Sequence, residues 1–236
     1  MSTHRFEDER FLRGTGRYVA DINLENQLYA KIVRSVHGHA NIINVDISEA
    51  LMIEGVCGVY IEEDLAKDGV GPLPCTTKFC AEQPLVLAER FALARNKVRH
   101  VGDPIALVIA ETEMAAQEGV ELVLVDYEAL PVVVNPVDAP LDGSPGIWST
   151  APKNIAYRFK KGEQEKTLAA FDQAAHIVDL DIENNRVMAL PIEPRAGIGE
   201  YDEQNDIMRL TCTAQGVHAI REQLAHSVFS LDEERI

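Results

Sequence analysis

Pro104-Ile105-Ala106-Leu107-Val108-Ile109-Ala110-Glu111-Thr112 decides the fold. From Pro104 to Ala110 no polar side chain interrupts the run, which predicts a central strand covered on both faces. Thr112 then stands where a helix N-cap is wanted, and Glu113 falls in the first turn, where the helix dipole favours an acid. Ala116, Val120 and Val123 follow at i, i+4 and i+7, a helical stripe. Gly119 costs such a helix about 1 kcal/mol relative to alanine, unless its missing side chain allows close packing. Leu124 to Tyr127 resumes strand character, so the class is α+β.

Upstream, Leu28–Ser35, Asn41–Ile47 and Gly55–Ile61 read as strands, with Ser48 capping a short helix through Leu51. Glu62-Glu63-Asp64 reads as a solvated helix start. Downstream, Pro131, Pro136, Pro140, Pro145 and Pro152 mark a stretch that resists regular structure, the natural form of a linker. A second block begins near Asn154. It predicts a helix over Thr167–Ala175 and a half-buried strand over His176–Glu183. A hairpin of Arg195–Asp202 and Ile207–Thr213 follows, joined by a polar turn at 202–206. The clearest helix is Val217–Phe229, with Val217, Ile220, Leu224 and Val228 as its stripe. A last block of one helix and about four strands would leave sheet edges unpaired, so it is expected to need more chain or a partner.

The 236 residues are 46% apolar, enough for a buried core of one or two domains. A formal net charge of −16 argues against a polyanionic partner, because nucleic-acid binding needs a basic stripe and Lys160-Lys161 is too short to be one. Cys57, Cys75, Cys80 and Cys212 show no C-x-x-C spacing and read as buried free thiols, as suits a reducing cytoplasm. Met1–Arg10 has no apolar signal stretch, and no window approaches the ~20 apolar residues of a membrane span. A cytoplasmic protein without a membrane span is expected.

Few residues declare chemistry. Gly14-Thr15-Gly16 lacks the third glycine of a dinucleotide fingerprint, and His37-Gly38-His39 reads as a structural turn because no nearby carboxylate or cysteine completes a metal set. There is neither a G-x-S-x-G elbow nor a Walker A sequence. Thr213-Ala214-Gln215-Gly216 is the better candidate. It joins a strand to the strongest helix, where backbone donors favour oxo groups and Gln215 adds a neutral amide.

Several runs resemble, in order, the molybdenum subunit of the molybdenum hydroxylases, the family of xanthine dehydrogenase, aldehyde oxidase and aerobic-type carbon monoxide dehydrogenase large chains. They are Gly14–Ile22, Val33–Ala40 (with Val36 where the family has proline), Val98–Thr112 and Val125–Pro131, then Asn154–Tyr157 and Glu193–Asp202. The resemblance implies an α/β hammerhead domain followed by the incomplete start of a molybdenum-cofactor-binding domain. The expected bounds are an N-terminal extension over 1–24, the hammerhead over 25–135, a proline-rich linker over 136–153 and the first part of the cofactor domain over 154–236.

The resemblance implies, too, a molybdopterin cofactor in its cytosine dinucleotide form, with Gln215 beside the apical ligand of molybdenum and Gly216 next to it. His218 is expected to be a helix-start residue, and Glu193 and Arg195 structural. The partners implied are the remainder of the molybdenum subunit, an iron–sulfur subunit carrying 2Fe-2S, an FAD subunit and a small-molecule substrate. The family's glycine-rich segment, substrate loop and catalytic glutamate are expected beyond Ile236. No catalytic residue is therefore assigned in this chain, which alone is expected to be inactive. The alternative is a catalytically inactive truncated fragment serving only binding or assembly.

Overall fold

The computed structural model describes residues 5–75, 85–185 and 187–236. The apolar run Pro104–Ala110 is the middle of a three-stranded antiparallel sheet. Strand β5 (Pro104–Ala110) lies between β1 (Tyr29–Arg34) and β3 (Val56–Ile61). Ala106, Val108 and Ala110 are fully buried on one face. On the other face Ile105 is buried while Leu107 and Ile109 are only half-buried, so the covering there is partial. A second antiparallel sheet places β2 (Ala40–Asp46) between β4 (Lys97–Val98) and β6 (Leu124–Ala129). Ile105 packs into the cluster formed by Ala40 and Val98 of this second sheet, which joins the two sheets.

Helix α3 (Glu113–Leu122) covers the first sheet. Thr112 caps it as expected, its hydroxyl oxygen accepting the Ala115 N–H at 3.1 Å. Lys31 of β1 reaches Glu113 at 2.6 Å and ties the helix start to the sheet. Gly119 is a packing glycine: a Cβ there would stand 2.8 Å from Val108 Cγ1 and 3.3 Å from Val56 Cγ2. The expected acidic helix start is α2 (Glu62–Lys67), whose Asp64 accepts the Ile61 N–H. Near the N-terminus lies one short helix, α1 (Asp8–Leu12).

The proline-rich stretch carries turns and one 3-10 turn, Pro152–Asn154. It is nonetheless pinned. The Asn154 amide donates to the carbonyls of Ala139 and Pro145 and accepts the Ile147 N–H, replacing the backbone bonds that proline cannot make. Beyond it lie α4 (Gln164–Asp172), the hairpin of β7 (Gly197–Asp202) with β8 (Ile207–Cys212), and α5 (Val217–Gln223). α5 continues as a π-helical turn over Leu224–Phe229.

Several expectations fail here. His176–Glu183 forms no strand. Its alternation states which side would be buried if a neighbouring strand existed, and none lies beside it among the described residues, so Ile177, Leu180 and Ile182 are exposed. The second block therefore holds two strands among its described residues rather than about four. The helix expected over Thr167–Ala175 starts three residues earlier, at Gln164, and ends at Asp172. Ser48 caps nothing. Its N–H and hydroxyl both turn to Asp46, and the short turn Ala50–Met52 has Glu49 as its cap residue. Cys57 and Cys75 are exposed rather than buried and Cys212 is half-buried, whereas Cys80 lies outside the described residues. On β3 the buried place belongs to Val59, two residues on, which the local twist and bulge opposite Ile109 separate from Cys57.

Candidate functional site

The hairpin that leads to Gln215 is held at its turn by side chains. Asp202 accepts the N–H groups of Gln204 and Asn205 and the Asn205 side-chain amide. These bonds, the Asn205 amide first, hold its carboxyl below the usual range. Asp206 takes Tyr201 Oη–H at 3.0 Å and is bound by Arg235 from the end of the chain. The Arg235 contact, then the Tyr201 bond, lowers its carboxyl, while the same bond raises the Tyr201 phenol. Between β8 and α5 lies a mostly apolar groove of about 340 Å³, lined by Leu210, Val217, Ile220 and Leu224 among others.

Thr213–Gly216 bridges β8 and α5 at the surface. Gln215 sits at the bend and is exposed, and among the described residues no group hydrogen-bonds its amide. Gly216 occupies the N-cap place of α5 in an extended conformation, φ −174°. A Cβ there would meet only Ala219 Cβ at 3.9 Å, so the fold alone does not demand glycine. His218 is exposed in the first turn of α5. Glu193 accepts the Thr213 hydroxyl at 3.2 Å and so ties the approach of the loop, but it forms no ion pair with Arg195 among the described residues. The His37 ring packs tilted against Tyr127 with ring centroids 4.7 Å apart, and buried His39 bonds the Pro131 carbonyl through Nδ1 at 2.8 Å. That pair is the structural turn expected from the sequence. Among the described residues no three His, Cys, Asp or Glu side chains gather where they could hold a metal ion.

The family model for the aldehyde oxidase and xanthine dehydrogenase a/b hammerhead domain matches residues 13–131. The chain belongs to that family. A second family model, the molybdopterin cofactor-binding domain, matches residues 147–236 and so includes the Gln215 loop. The large subunit of nicotine 6-hydroxylase from Paenarthrobacter nicotinovorans is 34% identical over 235 residues, which are 98% of this chain and 28% of that protein. The carbon monoxide dehydrogenase large chain of Afipia carboxidovorans is 32% identical over 92% of this chain and 27% of its own length. Among solved structures, quinoline 2-oxidoreductase from Pseudomonas putida 86 superposes with a TM-score of 0.87 at 28% identity, over 98% of this chain and 29% of that one. The chain thus spans little more than a quarter of the length of these family members.

One cluster that sequence reasoning missed stands apart from this loop. The Arg99 guanidinium lies 3.7 Å from the Trp148 ring and donates to the carbonyls of Ile147 and Lys97, both at 3.3 Å. Burial pushes it below its usual range, with Asp103 opposing and Arg90 adding to the shift. Because Trp148 lies in the irregular stretch, no periodicity could have paired it with Arg99.

Proposed function

We propose that this chain is part of the molybdopterin-binding subunit of a molybdenum hydroxylase, an oxidoreductase that hydroxylates a small substrate with oxygen drawn from water. The observation that carries the reading is the exposed amide of Gln215, without a hydrogen-bond partner among the described residues and set at the β8–α5 turn inside the segment matched by the cofactor-binding family model. A neutral amide donates and accepts with equal ease, as suits a hydrogen bond to a metal-bound oxygen ligand. In this reading the metal would be held by the sulfurs of a pterin, and Gln215 would meet it through a hydrogen bond rather than as a ligand.

In this reading Gln215 and Gly216 face the cofactor, a molybdopterin in its cytosine dinucleotide form. Bound, it supplies a two-electron redox centre. Gln215 orients by hydrogen bonding and moves no proton, because an amide does not titrate in the working range. Gly216 lets the loop backbone approach closely. The acid–base work falls to the rest of the molybdenum subunit, and electrons leave through partner subunits bearing 2Fe-2S and FAD. The assembly is cytoplasmic. No helix among the described residues is long and apolar enough to cross a membrane.

The test is to tag this chain in its own host, purify what comes with it, and measure molybdenum by mass spectrometry and pterin by fluorescence. Both should co-purify with iron and flavin. Gln215→Ala should keep the pterin, change the molybdenum(V) resonance spectrum and slow turnover about tenfold or more, the scale of one lost charge-assisted bond. A tagged chain that purifies without molybdenum or pterin would overturn the proposal and leave an assembly module.

A further inference from the structure

A cleft of about 730 Å³ opens on the side of the second sheet, between the segment 87–100 and the Ile147–Thr150 stretch. Its volume falls within the span typical of small-molecule sites. Four cations line it, Arg90, Arg95, Lys97 and Arg99, against two carboxylates, Glu89 and Asp103, in a chain whose formal net charge is −16. An excess of positive charge there runs against the rest of the molecule.

The cations are not equivalent. Arg95 is answered by Glu62 and stacks on Phe91 at 3.7 Å, so it serves as wall. Among the described residues no carboxylate pairs with Arg90, Lys97 or Arg99. Asp103 spends one oxygen on the Arg99 backbone N–H at 2.9 Å rather than on a guanidinium. Arg99 is the fixed member. Trp148 covers one face of its guanidinium and two carbonyls take two of its five N–H donors, which leaves three to offer. Arg90 stands close enough to raise the cost of the Arg99 charge. Asp103 offsets part of this charge, but with four cations against two carboxylates along the cleft the balance still favours an incoming oxyanion.

We infer that this cleft binds a small molecule through a phosphate or carboxylate group, with Arg99 as the fixed anchor and Arg90 and Lys97 closing on the same group. The lining comes from the hammerhead and from the Ile147–Thr150 stretch, and it shares no residue with the Gln215 loop.

The test is calorimetric titration of the full chain with inorganic phosphate and, separately, with citrate, at constant ionic strength. Saturable binding of either supports the site, and the tighter of the two names the group. The double variant Arg90→Gln/Lys97→Gln should weaken binding about tenfold or more with an unchanged circular dichroism spectrum. Arg99→Lys should weaken it further, because an ammonium cannot reproduce the planar fork stacked on Trp148. No saturable binding of either anion would overturn the inference, as would binding that the double variant leaves unchanged.

Discussion

Replacing Gly119 with alanine sets two opposing effects against each other inside α3. The helix gains about 1 kcal/mol from the better propensity of alanine. Against this, the new Cβ would stand 2.8 Å from Val108 Cγ1 and 3.3 Å from Val56 Cγ2. Val108 is fully buried on the central strand, and a β-branched side chain has no cheap second rotamer to retreat to. Overpacking of this kind costs about 1–3 kcal/mol, so the sum is a net loss near 1 kcal/mol. In a chain of this size that is a fall of about 2–4 °C in Tm. Far-UV circular dichroism during urea and thermal unfolding would measure it. The sharper readout is the double variant Gly119→Ala/Val108→Ala. Removing the obstructing methyls should make the pair less destabilised than the sum of the singles by about 1 kcal/mol. A Gly119→Ala variant as stable as the parent or more so, or a strictly additive cycle, would refute the close-packing account.

Three other outcomes follow from described contacts. Thr112→Ala removes the acceptor for the Ala115 N–H and should destabilise by about 1 kcal/mol, while Thr112→Ser should restore nearly all of it in the same unfolding assay. Gly71→Ala would place a Cβ 2.4 Å from the Ser227 carbonyl oxygen, so the 2.7 Å bond from the Gly71 N–H to the Val228 carbonyl must break; hydrogen exchange should quicken at residue 71 while the amides of β5 stay protected. Glu113 is held below the usual carboxylate range, first by its hydrogen bond from Lys31 and then by that residue's charge. A lowered folded pKa means the pairing supports the fold above the ordinary glutamate value and is lost as pH falls through the lowered one. Carbon-detected titration should show the Glu113 midpoint rise in Lys31→Met, and an unmoved midpoint would contradict the pairing.

The first block was legible because its elements are short-range statements. The apolar run 104–110, the Thr112 cap and the stripe after it each act within a few residues, and β5 and α3 stand where those signals put them. Legibility ended where a neighbour had to be supplied. The alternation over His176–Glu183 is a sound strand pattern, yet a strand needs a ladder, and no described strand lies beside it. Burial of Cys57 failed for a related reason, since residue type predicts burial only after the register is known. Of the candidate site, the position of Gln215 between β8 and α5 was readable from turn and helix signals. The Arg99–Trp148 contact was not, because it joins a strand end to a proline-rich stretch that carries no period.

The bond between Gly71 and Val228 has a consequence for the order of assembly. It closes a loop over most of the molecule, whereas β1, β3 and β5 with α3 are complete by residue 122. Loop-closure entropy makes such a distant contact costly until both of its ends are already ordered. On the ribosome the two sheets can therefore form while the rest is still being made. The turn over Leu224–Phe229 then meets a finished surface, and the absence of a side chain at residue 71 decides whether it can come close enough to stay.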